Sequence, residues 1–577
     1  MKMKKLCAIT LAAAFCFSMA ACSMSMDDGD ATVVNIMNNG GGCGRIWLDE
    51  AIERFQAQIG EKSYAEGKKG VKFEIEHNIN TSTATMPTSG YDIYFTTSDG
   101  YPRNLAQKGF LYDLTDFIEA KNYDNGTVSI KDKIDESYLD VLQGADGKYY
   151  AIPHEEWFPG LTYDADLFKE RNLYIAADGA ASIPYTCPYG TLNFVRGENA
   201  KKSCGNDGIY GTYDDGLPTS LTELLTLCAK MKEVNVTPFT VSGLNAQYTN
   251  YLTEALWASL SGYDEFRGTY AFDSKMNVVT GYSEDSLFPS VENAKIKAIK
   301  KPITQEVTLT EETGYLASNN VNKYYASVFL EVMYDEGWYS QSAGTQSTHT
   351  GEQSNFIFSG RNGKERVGFM IEGDYWFNES VTAGNFTDFK EMYPDEPDRD
   401  LRWMPLPTSF DQTTTEGNGR ENILLDTGAS FTFVNKKTAG KTDGCLNAVL
   451  DFLKFIYNDE EMSHFTLCTG LGKAAMKYEV TSEDKAQMQE FKKSIWDLRS
   501  NNKVVYGSAK NETFLNSPLT FVPYQNSESY FFYQLDGKLY ICDLFANRAG
   551  YTARDCFEKA RKTAEQWKGI YKGNKSL

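Results

Sequence analysis

Side chains able to do chemistry are concentrated in a few short polar stretches. Asn38 and Asn39, Asp99, the run His154-Glu155-Glu156-Trp157, the group Asn245, Gln247, Tyr248 and Tyr251 ahead of Trp257, and the run Glu372-Gly373-Asp374-Tyr375-Trp376 each place acids or amides beside rings or at turns. Carboxylates and amides accept and donate hydrogen bonds to hydroxyls, and aromatic faces pack on flat C–H surfaces. That mixture suits a ligand built from pyranose rings.

The same residues do not form a recognised catalytic set. Glu155 and Glu156 are adjacent, so their side chains diverge, whereas a glycosidase holds two carboxyl groups about 5–10 Å apart across the scissile bond. Distant pairs such as Glu155 and Asp374 remain able to converge. His154-Glu155 starts like the zinc motif HExxH, but the fifth residue is Phe158. There is no GxSxG, and only His77, His154, His349 and His464 could serve as the base of a triad. A second cluster, Asn206 to Gly216, carries Asp207, Asp214 and Asp215 among glycines. It reads either as an oxygen-rich cage for a structural calcium or as an ordinary Asp/Gly turn. The eight cysteines after Cys22 show no CxxC, which argues against structural zinc, and Cys187 and Cys204 flank one polar segment and are close enough in sequence to pair. No cofactor is required by any of these patterns.

The elements that must position these residues alternate between strand and helix. Thr32 to Ile36 is a β-branched run, followed by the Asn38-Asn39-Gly-Gly-Gly loop and a helical pattern from Ile46 to Gln58. Strands follow at Val71 to Glu76 and Tyr91 to Phe95. This order gives an α/β sheet with helices on both faces and ligands beyond the carboxyl ends of its strands, which puts Asn38, Asn39 and Asp99 on one rim. The triple glycine is not GxGxxG, so no dinucleotide site is read. Ser220 with Glu223 forms a capping box ahead of an apolar stripe at Leu221, Leu224, Leu225, Cys228 and Met231. Val449, Leu450, Leu453 and Ile456 repeat the helical spacing, as do Phe557, Ala560, Ala564 and Trp567 in an expected last helix. Ala176 to Thr219 has little periodicity and reads as a polar surface insertion.

Composition sets the class. The chain has 577 residues, 78 Asp plus Glu against 57 Lys plus Arg, and a net charge of -21, which repels a phosphate backbone and excludes nucleic acid as a partner. Its 36 Tyr, 34 Phe and 8 Trp leave rings to spare for a ligand. Lys2, Lys4 and Lys5 precede an apolar run from Leu6 to Phe17, too short to anchor in a bilayer and suited to a signal peptide. Ser18-Met19-Ala20-Ala21-Cys22 resembles a bacterial lipobox, so residues 1–21 are expected to be removed, Cys22 to be acylated, and residues 22–31 to tether the domain at the outer face of the cytoplasmic membrane.

Several ordered segments resemble a known family. Phe110-Leu-Tyr-Asp-Leu-Thr115, Gly147-Lys-Tyr-Tyr-Ala-Ile-Pro153, Gly160-Leu-Thr-Tyr-Asp-Ala-Asp-Leu-Phe168, Pro218-Thr-Ser-Leu221, Thr237-Pro-Phe239, Gly368 to Trp376 and Phe452 to Asp459 are similar to the solute-binding proteins of carbohydrate ABC importers, of which the maltose-binding proteins are members. The resemblance implies a two-lobed, periplasmic-binding-protein-like (type II) fold with hinge crossovers and a central cleft. One lobe would hold residues 32–152 plus about 435–490, and the other about 153–434 plus about 491–577, with the insertion at about 176–219. It also implies a monomer that delivers an oligosaccharide to the transmembrane permease subunits and has no catalytic residue. Asp99 matches an acidic sugar-binding position of the family, although Thr96 stands where the maltose binder has a nearby Trp. Trp376 lies in the segment from which a Trp stacks on sugar. The ligand set is thus Asn38, Asn39, Asp99, Glu155, Trp157, Tyr248, Tyr251, Asp374 and Trp376. The alternatives are a surface glycoside hydrolase and a sugar-sensing receptor for a membrane kinase.

Overall fold

The computed structural model describes residues 30–78, 82–97, 100–121, 126–197, 199–245, 247–344, 347–411, 421–521 and 551–575. Cys22 and Asp99 lie outside the described residues. Two mixed sheets, each wrapped by helices, form two lobes. In the first, the strand Thr32–Asn39 runs parallel to both Val71–Asn78 and Ile93–Thr97, as the β-α-β order of the sequence requires. Ser430–Val434 then adds antiparallel to Ile93–Thr97, and Ile152–Pro153 closes the sheet. The helix Ile46–Ile59 turns Trp47, Leu48, Ala51, Ile52 and Phe55 inward, one apolar stripe at helical spacing. In the second lobe the order is Leu401–Met404, Pro159–Asp164, Val367–Gly373 and Thr237–Thr240, with Pro159–Asp164 antiparallel to both neighbours.

The chain passes between lobes at residues 154–158, returns between Asp426 and Ser430, and leaves again to the helix Glu490–Asn501, which packs on the Leu401–Met404 strand. Ser430–Val434 is part of the first sheet, a few residues ahead of the crossover read from sequence at about 435, because its backbone pairs with Ile93–Thr97. Ile423–Asp426 and Lys503–Tyr506 pair in parallel as a separate two-stranded ribbon beside the crossing.

Local signals carry through in several places. Ser220 and Glu223 make both hydrogen bonds of the capping box at the start of the helix Leu221–Glu233. The insertion is more ordered than its composition suggests: Ser182–Cys187 and Gly190–Val195 form a hairpin whose Leu192 and Phe194 are buried. Phe557, Ala560 and Trp567 are core residues, but their stripe is split between two helices, Ala553–Ala560 and Ala564–Lys575, by extended backbone at Arg561. Cys187 and Cys204 are free thiols. Among the described residues no helix is long and apolar enough to cross a membrane.

Candidate functional site

The lobes meet over the segment 154–158, whose backbone donors are shared between them. The Glu156 N–H donates to the Gly472 carbonyl (3.0 Å), the Trp157 N–H to Asp426 Oδ1 (2.9 Å) and the Phe158 N–H to Asp374 Oδ1 (3.0 Å). Consecutive side chains of an extended segment point to opposite sides. Glu155 and Trp157 therefore face the loop after the first strand, and Glu156 faces away from it. Glu156 is fully buried and forms a bidentate pair with Arg499 (2.6 and 2.9 Å), with the Tyr506 hydroxyl donating at 2.9 Å. Beyond that pair lies a separate cavity of about 490 Å³, bordered by Tyr263, Tyr478, Trp496 and Tyr506.

On the Glu155 side the two lobes are closed upon each other. The Cys43 N–H donates to Glu155 Oε2 (2.8 Å) and Thr97 Oγ1 donates to Oε1 (3.1 Å). Gly42 has φ +62°, and a Cβ there would stand 2.8 Å from the Trp157 indole and 2.9 Å from Glu155 Oε1, so only glycine lets the loop come this close. The Trp157 ring lies 4.6 Å from that of Tyr375. Tyr375 precedes the helix Trp376–Thr382, and its ring folds over Gly373, where a Cβ would lie 2.2 Å away. One turn further on, Glu379 accepts from Gln353 Nε2 (2.9 Å) and its other oxygen faces Gly41 of the first lobe. Asn378 Nδ2 reaches the Thr469 carbonyl across the gap (2.8 Å).

Burial dominates the electrostatics. Glu155 is pushed up by burial, partly offset by its Cys43, Trp157 and Thr97 partners. Glu379 is pushed up to about 7 by burial, with Gln353 lowering it and Glu155 adding repulsion. Glu372 is raised well above the usual range by burial and by Glu379, while the Tyr248 hydroxyl lowers it. Asp374 rises for the same first reason, and Asp426 to about 7.

The structure brings together Glu155, Trp157 and Tyr248 from the sequence-derived set, with Tyr251 edge-on to Tyr248 at 5.2 Å, and Asn39 stands on the same loop with its Oδ1 accepting from the Gly41 N–H (2.8 Å). Three others take different places. Asn38 is buried and its amide donates to the Asn39 and Gly44 carbonyls, so it serves the turn rather than the rim. Asp374 sits at the crossing against the Phe158 backbone. Trp376, expected to stack on a ligand, is a core residue at 0 % exposure. Its indole N–H donates to Thr162 Oγ1 (2.9 Å) and its ring packs on Phe356, Phe377 and Phe491. The ring that faces the cleft is its neighbour Tyr375, because the helix starts at Trp376 and turns that side chain inward. Glu379 and Gln353 were also missed. Glu379 follows Tyr375 by four residues, a helical spacing visible in the sequence, whereas Gln353 carried no local signal.

The acids of the Asn206 to Gly216 cluster accept from its own backbone. Asp214 Oδ2 accepts from the Asn206 and Asp207 N–H groups, Asp215 Oδ2 from Gly211 and Asp207 Oδ1 from Ile209, so these oxygens pin the turn. Among the described residues one group of three candidate ligand atoms converges within 4.8 Å: Cys43, His154 and Glu155. Lys473 Nζ lies 3.2 Å from His154 Nδ1. An ammonium there can only donate, which puts the ring hydrogen on Nε2, 3.8 Å from Cys43 Sγ. The group is a buried hydrogen-bonded chain in this state.

No family model matches the chain, and no curated protein matches it. Solved structures do. A chitin oligosaccharide binding protein is similar over 95% of this chain and 100% of its own, with a TM-score of 0.50 and 14% identity. A protein from work on xylan utilization by the thermophilic bacterium Caldanaerobius polysaccharolyticus is similar over 92% of this chain and 99% of its own, with a TM-score of 0.51 and 13% identity. The chain therefore has the two-lobed, hinged fold of solute-binding proteins, the fold that its motifs imply.

Proposed function

We propose that the protein is an extracytoplasmic receptor that captures an oligosaccharide between its lobes and presents the closed form to the permease of an ABC importer. The observation that carries this is the pairing of Trp157 and Tyr375 beside Glu155, Glu379 and Asn39 where the two lobes close. Rings supply faces for pyranose C–H groups, and carboxylates and amides supply hydroxyl partners. Ligand bridging both lobes favours the closed arrangement because it gains contacts there that the open one lacks. A micromolar dissociation constant requires only about -8 kcal/mol, within reach of two stacked rings and several charge-assisted hydrogen bonds after ordering costs. The function needs no catalytic residue. Titrating the protein with oligosaccharides while following tryptophan fluorescence tests it: a saturable shift with the sugar recovered intact is expected, and steady release of reducing ends indicates a hydrolase instead.

Acylation of Cys22 would hold the receptor at the outer face of the membrane, close to its permease. Cys22→Ala is expected to move the protein from the membrane fraction to the soluble one, and continued retention contradicts the anchor.

A further inference from the structure

The cleft gathers more carboxyl groups than the protein supplies cations for. Glu155, Glu372 and Glu379 gather around Trp157, Tyr375 and Tyr248, and among the described residues none of these three carboxylates pairs with a lysine or arginine. The nearby cations are engaged elsewhere. Arg499 is held by Glu156 on the far side of the crossing, and Lys473, against His154 between the Trp47 and Phe465 rings, is attracted to Glu155 alone of the three. A second observation is independent of charge. Glu372 is 1 % exposed and its Oε1 has no hydrogen-bond partner, and Asp374 Oδ2 at the crossing is in the same condition. A buried acceptor without a donor is destabilising, more so when charged, so the site is completed by whatever brings donors into it.

Neutral hydroxyls would satisfy the acceptors but supply no countercharge to the carboxyls. An ammonium group supplies three donors and the countercharge together, and it is also attracted to the faces of the surrounding rings. We propose that the cleft selects a saccharide bearing a free primary amine, an amino sugar without its acyl group, with the ammonium seated among Glu155, Glu372 and Glu379. This rests on the reading of the cleft as a sugar site.

The test compares three oligosaccharides of equal length by calorimetry with the whole mature protein near neutral pH: a glucosamine oligomer, its N-acetylated form and a xylo-oligomer. The free-amine oligomer is expected to bind about tenfold or more tighter than the other two, since one partly buried ion pair of about 1.4 kcal/mol is a factor of ten. Glu379→Gln keeps the hydrogen-bonding shape and removes one charge, so it should erase most of that preference by lowering affinity for the free-amine oligomer more than for the neutral oligomers. Glu372→Gln provides the same readout should Glu379→Gln fold poorly. Equal or tighter binding of a neutral oligomer overturns the amine assignment and leaves the sugar site standing. Binding of none of the three removes both.

Discussion

Adjacent residues Tyr375 and Trp376 are predicted to fail in opposite ways when truncated. Trp376 is at 0 % exposure inside the second lobe, so Trp376→Ala leaves a cavity among Phe356, Phe377 and Phe491 that costs about 3–5 kcal/mol. It also removes the donor to Thr162 Oγ1, worth about 1 kcal/mol. For a lobe of roughly 250 residues each kcal/mol moves the melting midpoint by about 2–4 °C, so a drop of roughly 10 °C is expected. Ligand affinity of the protein that remains folded should be unchanged, because the indole touches only protein. Tyr375 packs on Trp157 at the meeting of the lobes, an aromatic contact worth about 0.5–1.5 kcal/mol. Tyr375→Ala should therefore lower the melting midpoint less than Trp376→Ala and weaken oligosaccharide binding about tenfold. Calorimetric melting and titration of both variants decide the matter. A Trp376→Ala protein of normal stability with lost affinity would refute the placement of the two rings.

Two further outcomes follow from the buried charges. Arg499→Met strands the fully buried Glu156 carboxylate and should cost about 3–5 kcal/mol in urea unfolding; restoration by the added change Glu156→Gln identifies the pair as the cause, and a neutral Arg499→Met contradicts it. Asp426 is held up near 7 in the folded protein against an ordinary 3.8, so its protonated form favours folding below about pH 4 and that contribution is lost as pH rises through about 7. Asp426→Asn keeps an oxygen for the Trp157 and Gly428 N–H groups. Relative to this variant the wild type should lose stability between about pH 4 and 7, and identical pH profiles would show that the carboxyl is not perturbed.

Features written locally were legible in the sequence. The Ser220-Glu223 box, the β-branched first strand and the apolar stripe of Ile46–Ile59 each depend on neighbours within a turn or two, and each stands in the structure. The ordered motifs gave the hinged two-lobe plan. What escaped is set by distant contacts. Strand Ser430–Val434 joins a sheet whose other members lie more than 270 residues earlier. Trp376 and Tyr375 differ only in which side of a helix start they occupy, and composition cannot rank them. Asn38 is polar and sits at a rim, yet the turn consumes its amide. Gln353 comes from the helix His349–Ile357 and meets Glu379 only through tertiary packing.

The central claim is that the lobes close on an oligosaccharide at Trp157 and Tyr375. Small-angle scattering of the protein carrying a Gly42→Trp change, beside the wild type, with and without a bound oligosaccharide, addresses it directly. The wild type should become more compact on adding sugar and release no reducing ends. The variant, whose side chain would occupy the space of the Trp157 indole, should stay open and bind weakly. A variant that binds and compacts like the wild type would contradict the account.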